Sequence, residues 1–188
     1  MKNLLLMLTI LFVTGIAFAN EEFDRMVQAA ESGNPTACYN VSLCYQYGYL
    51  DVVPDNEQAV TWAKRAAAFG VSDAMVDLGI YYVTFEDDWK TAKKYFKQAA
   101  KLENANAFYM MGYCYANALG VKKDIKRGIK NYEKASERGC PAADYQLGRL
   151  YYTGEEVPED TEAALRYFFK AAEGGDTDAQ AVLKDLGL

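Results

Sequence analysis

The residues whose types could do chemistry are few: the carboxylate clusters Glu86-Asp87-Asp88, Glu155-Glu156 and Glu159-Asp160, and the cysteines Cys38, Cys44, Cys114 and Cys140. Paired carboxylates can divide the work of a general acid and a general base. All three clusters, however, fall in inter-helix loops or at helix N-termini, where acids are favoured for capping and solubility alone. No Asp-x-Asp-x-Asp-Gly run offers calcium a ligand set, and no glycine-rich loop cradles a phosphate. Histidine is absent, which excludes Ser-His-Asp and Cys-His nucleophile systems, His-ligated zinc and imidazole pH switches. The residues therefore assign no catalytic group, no metal ligand and no cofactor, and the expectation is a protein that is not an enzyme.

The elements that position these residues begin with an address label. Of 188 residues, Met1-Lys2-Asn3 form a short positive start, Leu4 to Val13 is almost wholly apolar, and Ala17-Phe18-Ala19 is the small-x-small pattern cut by a signal peptidase. The apolar stretch is shorter than the roughly 20 residues that cross a bilayer. The reading is a signal peptide at 1–19 and a periplasmic or secreted protein without stable membrane insertion. The whole chain has 20 Lys and Arg against 26 Asp and Glu, and loss of Lys2 takes the net charge from −6 to −7. Such an acidic chain repels phosphate backbones, so nucleic acid is not the expected partner.

A repeat governs the rest. Ala37, Ala74, Ala107, Ala143 and Ala179 form one column, with steps of 37, 33, 36 and 36 residues, a period that means stacked supersecondary units. Four residues on come Val41, Leu78, Met111, Leu147 and Leu183, and eight on come Tyr45, Tyr82, Tyr115 and Tyr151, all on one helical face. The column five on holds Ser42, Gly79, Gly112 and Gly148. Glycine recurring inside a helix points to a neighbour that approaches too closely for a side chain. Lys184 in that column reads as the polar end of the stack.

Asp55, Asp88, Asp124 and Asp160 each precede a second helix as its cap. Trp62, Tyr95 and Tyr167 are the expected bulky packing residues of that helix, with Asn131 as a departure in the third copy. Gly70, Gly139 and Gly175 end the second helices in left-handed caps, where the second copy has Glu103-Asn104. The fold class expected is all-α: an α-α superhelical solenoid of four helix-loop-helix repeats with capping helices at both ends. The boundaries are a capping helix at 20–34, repeats at 35–70, 71–104, 105–140 and 141–176, and a second capping helix at 177–188. Phe23, Met26, Val27 and Ala30 would shield the first end. The second repeat, running Val83-Thr84-Phe85-Glu86-Asp87-Asp88, predicts a tighter turn between its helices.

Ala143 to Tyr151 read Ala-x3-Leu-Gly-x2-Tyr, followed by Gly154-x2-Val157, Asp160 and Lys170-Ala171-Ala172-Glu173-x-Gly175. This pattern resembles the Sel-1-like repeat family, relatives of the tetratricopeptide repeats, over about residues 35 to 176. A cysteine-rich branch of that family pairs cysteines across adjoining helices near the end of the second one, and the four cysteines here do not match that arrangement. Cys38 and Cys44 are separated by an axial rise of about 9 Å on one helix, beyond the roughly 7 Å that a disulfide spans between alpha carbons. The thiols read as free core residues.

The offsets left over on the first helices, +2, +6, +9 and +10 from the alanine, share one stripe. Resemblance to tetratricopeptide repeats implies that it lines a concave groove. The candidate partner-binding residues are Tyr39, Leu43 and Tyr47, then Val76 and Ile80, then Tyr109 and Tyr113, and finally Tyr145, Arg149 and Tyr152. These columns hold no acid and no lysine, which disfavours an enzyme on cell-wall or β-lactam substrates, and their tyrosines disfavour a mere spacer. The expectation is a monomeric binding module of the bacterial envelope that holds a peptide or protein partner. The resemblance offers an effector, a toxin or an envelope signalling protein as that partner, and in the toxin case an immunity protein.

Overall fold

The computed structural model describes residues 21–188. The expected signal peptide, with its expected cleavage after Ala19, lies outside the described residues. The chain divides into two compact units, Met1–Leu78 and Gly79–Leu188.

In the first unit, α1 (21–31) is followed by α2 (Pro35–Tyr47), a 3-10 turn (Tyr49–Asp51), α3 (Asn56–Ala68) and the first half of α4 (Ser72–Thr84). The core gathers Ala30, Cys38, Val41, Trp62, Ala66 and Ala74, and Phe23, Met26 and Val27 of α1 pack onto it. Asn34 caps α2 through the Ala37 amide, and Asp55 caps α3 through the amides of Glu57 and Gln58.

The second unit takes the rest of α4 and then α5 (Trp89–Lys101), α6 (Ala105–Ala116), α7 (Ile125–Glu137), α8 (Pro141–Thr153), α9 (Thr161–Glu173) and α10 (Thr177–Asp185). Asp88, Asp124 and Asp160 cap the second helices α5, α7 and α9 as expected. The backbone N–H of each also donates to the carbonyl of the eighth-column tyrosine, Tyr82, Tyr115 or Tyr151, at 2.9 to 3.0 Å. One bond thus closes the inter-helix loop whatever its length, including the short 85–88 turn. Glu103 supplies the left-handed position at φ 61° where other repeats use glycine.

The glycine column explains the helix pairing. A Cβ at Gly79 would lie 2.3 Å from Phe96, at Gly112 2.6 Å from Tyr132, and at Gly148 2.7 Å from Phe168. Each glycine leaves room for an aromatic ring of the second helix to lie on the first helix's backbone. These rings stand one residue beyond the expected bulky column, and in that register the third repeat keeps the pattern with Tyr132, while Asn131 remains a departure in the column itself. Tyr95 and Tyr167 stack instead on Tyr82 and Tyr151, with ring centroids 5.7 and 6.0 Å apart. In the first repeat the same two registers hold Ser42 and Ala63: a larger residue replaces glycine where a smaller one replaces the ring.

Candidate partner-binding surface

On the first unit, α2 carries Tyr39, Leu43 and Tyr47 on one face, half-buried at Tyr39 and Leu43 and 57 % exposed at Tyr47. The Tyr39 hydroxyl donates to Asp77 Oδ2 on α4 at 2.9 Å. Burial pushes the Tyr39 hydroxyl above the ordinary tyrosine range, and the neighbouring Asp77 charge adds to the rise. Burial likewise raises the Asp77 carboxyl, opposed by the Tyr39 bond and helped by Asp73. An acid therefore meets the stripe, although its columns contain none, because Asp77 reaches Tyr39 from the next repeat. Val76 is 5 % exposed and packs inward, so it offers no surface.

On the second unit, Ile80 is exposed on α4. Tyr109 of α6 is half-buried, its ring centroid 5.9 Å from Tyr132 and 6.5 Å from Tyr113. Its hydroxyl is raised by burial first, while the Gln146 side chain bonds to it. Tyr145 packs 6.0 Å from Phe168 and carries the Arg149 guanidinium at 5.9 Å from its ring centre. Tyr152 lies edge-on to Phe168 and is 43 % exposed. Tyr109, Tyr113, Tyr145, Arg149 and Tyr152 thus occur on one unit, with Tyr109, Tyr113 and Tyr145 half-buried and Tyr152 exposed.

A cavity of about 200 Å³ opens beside Arg149, lined also by Ala116, Asn117, Tyr132 and Thr153. Lys123, Glu155 and Glu156 reach it from the loops, and helix periodicity gives no sign of their arrival. Lys123 and Glu156 pair at 2.5 Å, both in contact with water. Solvent screens such a pair.

The other polar constellation joins a buried serine and carboxylate to a half-exposed lysine. Ser136 Oγ donates to Asp144 Oδ1 at 2.5 Å, and Lys170 Nζ lies 3.1 Å from the same oxygen and donates to the Ser136 carbonyl at 3.0 Å. Lys170 also contacts the Ser136 hydroxyl. A serine beside a lysine and a carboxylate invites comparison with a nucleophile and its base. Here the hydroxyl proton is committed to Asp144, and Ser136 and Asp144 are both buried, so the cluster ties α7, α8 and α9 together. All four cysteines are buried and free. Burial pushes the Cys114 thiol up to about 11 and raises those of Cys44 and Cys140, which keeps them protonated and unreactive. Among the described residues no helix is long and apolar enough to cross a membrane.

Paired helices, glycine-seated rings and capped second helices define an all-α solenoid. The Sel1 repeat model matches residues 35–68, 90–104, 105–140 and 141–176, well over half of the sequence, and the chain belongs to the Sel1 repeat family, a protein–protein interaction fold. In the second copy the match begins at residue 90, beyond the shortened turn. The chain is similar to a Sel1 repeat protein from Oxalobacter formigenes, with 29 % identity and a TM-score of 0.79 over 86 % of this chain and 66 % of that one. Immunity protein PA5088 from Pseudomonas aeruginosa shares the fold alone, at 22 % identity and a TM-score of 0.61 over 84 % and 58 % of the two chains. Among curated relatives, the ERAD-associated E3 ubiquitin-protein ligase component HRD3B of Arabidopsis thaliana is 30 % identical over 111 residues, 57 % of this chain and 17 % of that protein. The chain spans less than a fifth of the length of the curated relatives it matches.

Proposed function

We propose that the protein is a non-catalytic binding module of the bacterial cell envelope, exported with loss of residues 1–19, whose first-helix stripe holds a peptide or protein edge. One observation carries this reading. On the first helices α2, α4, α6 and α8, the large apolar side chains left exposed are Tyr47, Ile80 and Tyr152, and all three belong to the stripe. Exposed tyrosine next to arginine is the composition of interface anchors. A relative named as a component of a ligase assembly agrees with an adaptor role. For a toxin as partner the module is an immunity protein, and neutralisation at one-to-one stoichiometry is its signature.

A photo-crosslinking residue placed at Tyr152 should capture a discrete partner in the native host, and the same residue at the exposed Lys130 on α7 should not. The purified partner should then lose affinity for the Arg149→Ala, Tyr152→Ala double variant. Equal capture at both positions, or unchanged affinity in the double variant, overturns the stripe as the binding face. Mass spectrometry of the exported protein should find Asn20 at its N-terminus.

A further inference from the structure

Acid is unevenly shared between the two units. From residue 21 to Leu78 the first unit has nine carboxylates against the three cations Arg25, Lys64 and Arg65, whereas the second has 17 against 16. Arg25 pairs with Glu21, and Arg65 lies over Trp62. Asp77 has the Tyr39 hydroxyl as its hydrogen-bond partner and no cation beside it among the described residues. A half-buried carboxylate next to a tyrosine, in a unit this acidic, is complementary to a positive side chain.

We propose that this face of the first unit, built from Tyr39, Leu43, Tyr47, Tyr49 and Asp77, is a docking surface for an extended basic segment of the partner. The inference rests on the binding-module reading and names the chemistry of what binds. Tyr47 and Tyr49 are more than half exposed, with ring centroids 5.5 Å apart, and offer π-faces to a cation. The chain holds its own arginines in the same manner, Arg65 on Trp62 and Arg149 on Tyr145. Backbone strain marks the same corner: Leu50 and Asp51, neither of them glycine, stand at φ 56° and 58°, a conformation kept only where the surroundings impose it.

Register fixes the pattern of the segment. Tyr39, Leu43 and Tyr47 recur every four residues on α2, about 6 Å apart per step and about 12 Å from first to last. An extended strand places every second side chain on one side, about 6.6 Å apart. Two arginines four residues apart with a leucine midway therefore match Asp77 with Tyr39, then Leu43, then the Tyr47–Tyr49 pair.

The probe is the fluorescein-labelled heptapeptide Ser-Arg-Ser-Leu-Ser-Arg-Ser, titrated into the protein at low salt and compared with its glutamate counterpart. The arginine peptide should bind at least tenfold more tightly, and binding should weaken as salt rises. Asp77→Asn retains an acceptor for Tyr39 and should cost about tenfold, as should Tyr47→Ala. Glu57→Gln, the same loss of charge at an exposed position on α3, should change affinity less than twofold. Equal affinity for both peptides, or equal effects of Asp77→Asn and Glu57→Gln, overturns the proposal. A native partner that binds through the second unit while the peptide fails would sink the basic-segment proposal and spare the binding-module reading.

Discussion

Lys170 Nζ stands 3.1 Å from Oδ1 of Asp144, a carboxylate only 2 % exposed. In the third repeat the same two registers hold Lys134 and Phe108, and the ammonium lies 5.1 Å from the ring centre. One helix-pair contact is thus filled by a cation–π interaction in one copy and by an ion pair in the next. The two fillings have different consequences, because a ring tolerates loss of its cation and a buried carboxylate does not.

Lys170→Met should destabilise the protein by about 1 to 2 kcal/mol, less than the full penalty for a broken buried pair because the Lys170 side chain is half exposed and Ser136 still bonds Asp144. Lys134→Met should cost under about 1 kcal/mol. Adding Asp144→Leu to Lys170→Met should restore most of the loss. Urea denaturation of the four proteins checks all three expectations, and equal costs at Lys134 and Lys170 would refute the contrast.

The glycine–ring pair gives a second test. Gly148→Ser should cost about 1 to 3 kcal/mol by pressing on Phe168, and Phe168→Ala about 3 to 5 kcal/mol by leaving a void. Together they recreate the Ser42 and Ala63 pair of the first repeat, and the double variant should lose clearly less than the sum of the single losses. Lys184→Leu, at the exposed end of α10, should change stability little. Strict additivity in thermal or urea unfolding would show that the two positions do not share one space.

The sequence reveals the glycine column but not the ring that fills it. Tyr95 and Phe96, or Tyr167 and Phe168, are neighbours on one helix, and both pack, one on a tyrosine and the other on a glycine. Periodicity cannot say which of two adjacent aromatics faces which partner when a helix is packed on two sides. The helix pattern does leave Tyr47 and Tyr152 outside the core columns, and both are exposed. The stripe is not legible where another segment supplies the neighbour. Asp77 reaches Tyr39 from the following repeat, and Lys123, Glu155 and Glu156 come to the Arg149 cavity from loops, which have no period to read.

Cys114 links the core to pH. Its thiol titrates at about 11 in the fold against 9.0 when free, with burial as the cause. Because the folded value is the higher, the folded state holds the proton more tightly, and this stabilisation is fully present below pH 9. It is lost as pH rises from 9 to 11. Half-buried Tyr39 and buried Tyr132, both raised by burial, add to the same alkaline decline. Melting temperature should therefore fall over that range, and less steeply in Cys114→Ala. Parallel curves for the two proteins would remove Cys114 from the explanation.

Two tyrosines of the stripe should behave oppositely when truncated. From the sequence, Tyr109 reads as a partner-binding residue of the groove stripe. Its half-buried ring beside Tyr132 and Tyr113 makes it a packing residue as well. Tyr109→Ala should lower stability by about 2 kcal/mol or more. Tyr109→Phe, which keeps the ring and loses only the hydroxyl contact with Gln146, should cost about 1 kcal/mol. Tyr152→Ala, at a side chain 43 % exposed, should leave circular dichroism and melting near those of the parent. A hot-spot tyrosine is worth about 2 kcal/mol on truncation, so partner affinity should fall roughly thirtyfold. Unchanged affinity in a folded Tyr152→Ala protein would take the anchor out of the interface, and an unaltered melting curve for Tyr109→Ala would return that residue to the surface.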